Sequence, residues 1–107
     1  MQRKMTKADE RRQELGRLFS EWHRIVNFVR PRVVSRLAEL QRKEAEREQV
    51  YRSARQQGLH TAVSHLNRLV SEEATALSHL DRELSLLQRD VARQREAVRK
   101  FWQNIKD

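Results

Sequence analysis

The chain has 107 residues, 37% hydrophobic and 36% charged, with two Gly, one Pro and no Cys. That suffices for one domain but is too polar for a large compact core, and the absence of Cys excludes disulfides, thiol chemistry and Cys-based zinc sites. Net charge is +8 and uneven: residues 1–57 carry 15 Lys/Arg against 8 Asp/Glu, and residues 58–107 carry 8 against 7.

Few helix breakers, many charges and regularly spaced Leu and Val predict long helices. The N-terminus, MQRKMTKADERR, has no apolar h-region, and no run approaches the roughly 20 apolar residues of a membrane span. An intracellular protein, cytoplasmic or nuclear, is therefore expected. The basic balance is suited to nucleic acid, anionic lipid or an acidic protein, through the first half of the chain.

In chain order, Thr6 reads as an N-cap, with Asp9 and Glu10 in the first turn, where carboxylates favour the exposed N–H groups. Apolar residues follow at Leu15, Leu18/Phe19, Trp22, Ile25/Val26 and Val29, the stripe of an amphipathic helix. Pro31 removes a backbone donor and clashes with the preceding turn. The apolar phase also slips by one residue here, continuing at Val33, Leu37 and Leu40, then Tyr51 and Ala54. Both signals predict a kink or break at 30–32. Gln41–Gln49 has no large apolar side chain and should face water, held by opposite-charge pairs. Gly58 is the candidate turn residue, with a turn over 57–60 and a new helix capped by Thr61.

From residue 59 onward the periodicity is sustained. One series reads Val63, Val70, Leu77, Leu84, Val91, Val98 and Ile105; the other reads Leu59, Leu66, Glu73, Leu80, Leu87, Gln94 and Phe101. Seven-residue spacing of this length keeps an apolar seam on one side of a helix, the signature of a coiled coil. Twelve apolar members of the two series form the expected oligomer seam: Leu59, Val63, Leu66, Val70, Leu77, Leu80, Leu84, Leu87, Val91, Val98, Phe101 and Ile105. β-Branched residues in one series and Leu in the other follow the preference of parallel two-stranded coils. The flanks Ala62, Leu69, Ala74, Ala76 and Ala97 are small or apolar where a simple dimer prefers charge, so further helices could approach.

Thr6 to Gln57 is 52 residues and Leu59 to Lys106 is 48. Two such helices predict a single all-α domain over 1–107: a long antiparallel helical hairpin of roughly 70 Å, kinked near Pro31. Residues whose numbers sum to about 117 would lie opposite one another. Glu73 would then meet Lys43 and Arg47, and Phe19 and Trp22 would lie near Phe101 and Trp102. Such hairpins are expected to assemble into a four-helix bundle; the alternative is a three-helix bundle broken at Pro31. The periodicity resembles that of other helical-hairpin coiled coils, such as type III secretion stalk proteins and the coiled-coil segment of tripartite-motif proteins. No diagnostic motif accompanies it, so no function is carried over.

Chemistry has little foothold in the sequence. His23, His60, His65 and His79 form no i,i+3 or i,i+4 pair, and no catalytic triad, phosphate loop or HExxH is present. No enzyme activity, metal, cofactor or small-molecule substrate is expected. Two features suit partners. The Arg-rich run Arg24, Arg30, Arg32 and Arg36 beside Phe28 could grip phosphates and stack on bases, or be a solvated face. Phe28 and Trp102 lie off the seam and are candidate partner contacts, aromatics being favoured interface anchors. The expectation is a coiled-coil interaction module for oligomerisation, scaffolding or complex assembly, as a homo-oligomer (a dimer favoured) or with a helical partner. A basic helical nucleic-acid-binding protein is the alternative.

Overall fold

The computed structural model describes residues 5–106, and every one of them is helical except Met5, Thr6 and Gly58. Helix α1 spans Lys7–Arg24, a π-helical turn follows over Ile25–Val29, α2 spans Arg30–Gln57, and α3 spans Leu59–Lys106. The chain packs as two units, Pro31–Ser85 and the described parts of Met1–Arg30 with Leu86–Asp107.

The start of α1 follows its sequence. Thr6 is extended and its Oγ1 accepts from the Asp9 N–H at 3.1 Å, while the Thr6 N–H donates to Asp9 Oδ2 at 3.2 Å. This reciprocal capping box satisfies two donors that a helix start otherwise leaves unpaired.

The one-residue phase slip takes a different form from the expected kink or break at 30–32. Residues 30–32 are helical, and the slip is absorbed just upstream in the π turn, where the Arg30 N–H donates to the Ile25 carbonyl. A π turn accommodates one extra residue without ending the helix. The inward line of buried and half-buried positions, with half-buried Val26 and Glu39 beside it, steps 14, 18, 21, 25, 29, 33, 36, 40, so the usual three-four alternation contains one run of fours across the turn. Asn27 Nδ2 donates to the His23 carbonyl at 3.0 Å, supplying a partner where the widened turn disturbs the ladder. Pro31 therefore falls in the first turn of α2, where a missing N–H costs least.

Gly58 makes the turn between α2 and α3. Its φ is +89°, a left-handed backbone that side chains disfavour. Its N–H donates to the Ala54 carbonyl at 3.1 Å, and its own carbonyl accepts from the Ala62 N–H at 3.0 Å. One residue thus closes α2 and opens α3, and the separate restart expected at Thr61 is not needed.

In the Pro31–Ser85 unit, α2 and the first part of α3 run antiparallel around Val50, Ala62 and Leu69, with Ala54 and Leu66 packed against them. Arg47 Nη1 meets Glu73 Oε2 at 2.6 Å and Lys43 Nζ meets Glu72 Oε2 at 3.0 Å. In the other unit, α1 and the last part of α3 bury Leu18, Ile25 and Val29. There Gln94 Nε2 donates to the Leu18 carbonyl at 2.9 Å, and Arg24 pairs with Asp90 at 3.0 Å. All these pairs lie within a few residues of the register expected from a turn centred on Gly58.

Candidate interaction surface

Helix α3 turns a different row inward from the one with the largest apolar side chains. Ala62, Leu69, Ala76 and Asp90, spaced by multiples of seven, are its most buried residues. Leu66, Glu73, Leu80, Leu87, Gln94 and Phe101 are half-buried beside them. Of the positions read as flanks from sequence, Ala62, Leu69 and Ala76 are therefore at the centre of the intrachain contact, Ala97 is half-buried and Ala74 is exposed. Small side chains there let two helices approach closely, so the row with the least bulk is also the one best able to be covered.

The first seam series stays outside. Val63, Val70, Leu77, Leu84, Val91, Val98 and Ile105 remain 37–54% exposed, and Leu59 is 80% exposed. The expected oligomer seam thus divides: Leu66, Leu80, Leu87 and Phe101 lean on the chain's own first helices, and the other row is left uncovered.

The partner stretch of each unit has a matching feature. Beside buried Leu18, Phe19 is 62% exposed, with Leu15 and Trp22 also open; beside buried Val50, Tyr51 is 56% exposed. In both members of each antiparallel pair, the exposed apolar residue follows a buried one by one position: Leu18 then Phe19 and Asp90 then Val91 in one unit, Val50 then Tyr51 and Leu69 then Val70 in the other. One residue is about 100° of helical rotation. Because the helices run in opposite directions, equal offsets turn both stripes to the same side of the pair. Each unit therefore presents a two-helix apolar face to solvent.

The aromatic residues sit mostly on this open surface. Phe19 and Trp22 rings lie 6.2 Å apart, tilted by 36°, and Phe19 is 6.0 Å from the His23 ring. Trp102 and Phe28, the two candidate partner contacts, are 62% and 63% exposed. Trp22, which the helical stripe would have placed in the core, is half exposed because Leu18 and Ile25 occupy the inward row.

The basic run is divided in its commitments. Arg24 bonds both Glu21, at 2.7 Å, and Asp90; Arg36 pairs with Glu39 at 3.2 Å and lies 3.4 Å from His79 Nδ1. Arg30 and Arg32 are exposed and form no ion pair among the described residues. The hydrogen bond from Arg24 holds the Asp90 and Glu21 carboxyls below their ordinary range, and those two carboxylates in turn raise the Arg24 guanidinium. Likewise the Lys43 ammonium lowers the Glu72 carboxyl and is itself raised. These are shifts of paired structural ions, each favouring the charged form already present.

Asp90 was missed by the seam pattern, which drew attention to its neighbour Val91. Its signal was the spacing: it falls in the series Ala62, Leu69, Ala76, Glu83, Asp90, Ala97, where a carboxylate needs a cation from the facing helix.

Among the described residues, no group of three or more His, Asp or Glu is placed to hold a metal ion, and no helix is long and apolar enough to cross a membrane. Comparison with known proteins found no matching family model, no matching curated protein and no matching solved structure.

Proposed function

We propose that this chain is a non-enzymatic helical interaction module that assembles protein complexes through the uncovered apolar face of α3 and the stripes beside it. The observation that carries this is the exposed row from Val63 to Ile105. Seven successive heptad positions hold Val, Leu or Ile, yet each keeps more than a third of its surface in water. Soluble chains rarely leave so continuous an apolar strip uncovered unless something docks there. The intrachain pairing is satisfied without it, since the contact uses Ala62, Leu69, Ala76 and the polar pairs. Trp102, exposed beside the Val98–Ile105 end of the row, offers a further anchor at its margin, whereas Phe28 is exposed on the opposite side of its helix pair.

The test is absolute mass by light scattering on a sizing column, at low and high salt. A salt-resistant mass of two or more chains is expected, because apolar burial is not screened. A single-chain mass at both salts, together with no retention of any helical protein partner, would overturn the proposal.

A second function is favoured by one observation, the exposed Arg30 and Arg32 near exposed Phe28. Nucleic-acid binding through them would fall steeply with salt and would vanish in an Arg30→Glu/Arg32→Glu variant. With Arg24 and Arg36 already engaged within the chain, fewer cations remain for phosphates than the sequence offers.

A further inference from the structure

We infer that the apolar face of the unit formed by α1 and the end of α3 takes an acidic amphipathic helix of another protein, seated along an apolar seam between arginines on both borders. This rests on the interaction-module proposal and names the partner's chemistry.

The seam is layered. Gln94 bonds the Leu18 carbonyl and Arg24 pairs with Asp90. That register sets Ala8 level with Ile105, Leu15 with Val98 and Trp22 with Val91, three layers one heptad apart. All six residues are exposed, and the antiparallel helices turn them to the same side of the pair. Two such lines leave a valley between them, and a third helix of about 15–20 residues fills its length. With Phe19 and Trp102, the face offers on the order of 700 Å² of apolar surface, close to one partner's share of a stable interface.

The borders set the partner's charge. Outside the seam runs one further line on each helix: Arg12 and Phe19, seven apart, on α1, and Arg95 and Trp102, seven apart, on α3. Arg12 and Arg95 are exposed and form no ion pair among the described residues. The carboxylates point elsewhere. Glu10, Glu14 and Glu21 lie across the buried Leu18–Ile25 line from Leu15 and Trp22, with Glu14 paired to Arg17 and Glu21 to Arg24. Glu96 precedes half-buried Ala97 as Val98 follows it, so it faces the opposite way, paired with Arg99. Asp9 is spent in the capping box and Asp90 is buried. The unit as a whole holds 14 Lys/Arg against 7 Asp/Glu. A second copy of this face would bring arginine to arginine. A helix with Glu or Asp flanking its apolar positions brings an ion pair to each border. A bilayer needs no heptad layering, and a nucleic-acid strand would lay phosphates over the apolar centre of the face.

Trp22 and Trp102 are the only tryptophans in the chain. Both lie on this face, so their emission reports whether it is covered. Two synthetic helices of about 20 residues, without Trp or Tyr and with the same Leu heptads, would be titrated into the full chain, one flanked by Glu and one by Lys. The Glu-flanked helix is expected to give a saturable blue shift and to bind at least about tenfold tighter than the Lys-flanked one. In an Arg12→Glu/Arg95→Glu variant that keeps its helicity by circular dichroism, the preference should reverse. Should that variant unfold, the two helices on the unsubstituted chain decide alone. Equal binding of both helices, or a preference that the helical variant leaves unreversed, would overturn the inference while the interaction module stands. A blue shift with phosphatidylserine vesicles or a single-stranded oligonucleotide but not with the Glu-flanked helix would overturn it too. So would a shift that grows with the concentration of the chain alone, which would mean a second copy on this face. No shift with any probe also overturns it, and the mass measurement then decides separately whether the module reading holds.

Discussion

Replacing Leu77 and Leu84 together by Glu tests whether the exposed row is a working surface. Leu77 is 47% exposed and Leu84 37% within the chain alone, so together they present a little under one leucine's worth of surface per copy. Complete burial of a leucine contributes about 1.5–3 kcal/mol, so covering this remainder in two copies contributes roughly 2.5–5 kcal/mol to a dimer. Losing it weakens association by roughly two to three and a half powers of ten in Kd. Four carboxylates brought to one interface add repulsion in the same direction. Val50, Ala62 and Leu69, the core of that unit, are untouched, so helicity within the chain should persist. Sedimentation velocity over a dilution series, with circular dichroism on the same samples, reads both quantities. The expected result is a helical single chain at concentrations where the unsubstituted protein is a dimer. An unchanged dissociation constant in a helical variant would refute the assignment of this row to assembly.

Four further expectations follow from particular contacts. Leu69 is fully buried, so Leu69→Ala should cost about 3–5 kcal/mol and be visible as a lowered thermal midpoint, whereas Leu77→Ala should leave the stability of the single chain nearly unchanged. Gly58→Ala should lower the midpoint by a few degrees, since a left-handed alanine costs roughly 1–2 kcal/mol. The Asp90 carboxyl is lowered in the folded chain by Arg24; its stabilisation is therefore present above the unfolded value near pH 4 and is lost as pH falls through the folded value. Melting curves from about pH 7 to 2 should show that loss below about pH 4, and Asp90→Asn should flatten part of it. If the variant melts with the same pH dependence as the parent, the pair does not act as described. Lastly, Trp102→Ala should leave helicity intact and weaken capture of a protein partner if Trp102 is an anchor, measured by calorimetric titration with that partner.

Most of the local punctuation was legible. Thr6 with Asp9 signals its capping box by spacing, and Gly58 is the one residue near mid-chain suited to a left-handed backbone. Glu73 announces its partner because a charge in an apolar series needs an opposite charge across the pair, and Arg47 supplies it. The direction faced by α3 was harder to read. Its apolar and small positions span about 100° of the helix, and three adjacent rows compete for the inside. Weighting by side-chain size selects Val63 and its successors, whereas close packing of two helices selects Ala62 and Ala76. Asp90 stayed hidden for the same reason, since a carboxylate in a small-residue row looks like a solvated flank until Arg24 is brought to it. At the phase slip, Pro31 is the conspicuous residue. The adjustment itself is made by Ile25–Val29, whose side chains carry no mark of a π turn.

That turn makes the length of the first helical stretch negotiable at one place. Removing a single residue within Ile25–Val29 would restore an unbroken three-four alternation from Glu14 to Leu40 and keep the inward residues inward on both sides. The same deletion at Glu44 would rotate everything on one side of it by about 100° and expose Leu18 or Val50. The remaining cost of a deletion in the turn falls on Pro31, which would then sit within a continuous α-helix and break its ladder. A shortened chain that also replaced Pro31 with Ala should therefore fold as well as the original. The extra residue and the proline form a matched pair, each tolerable because of the other.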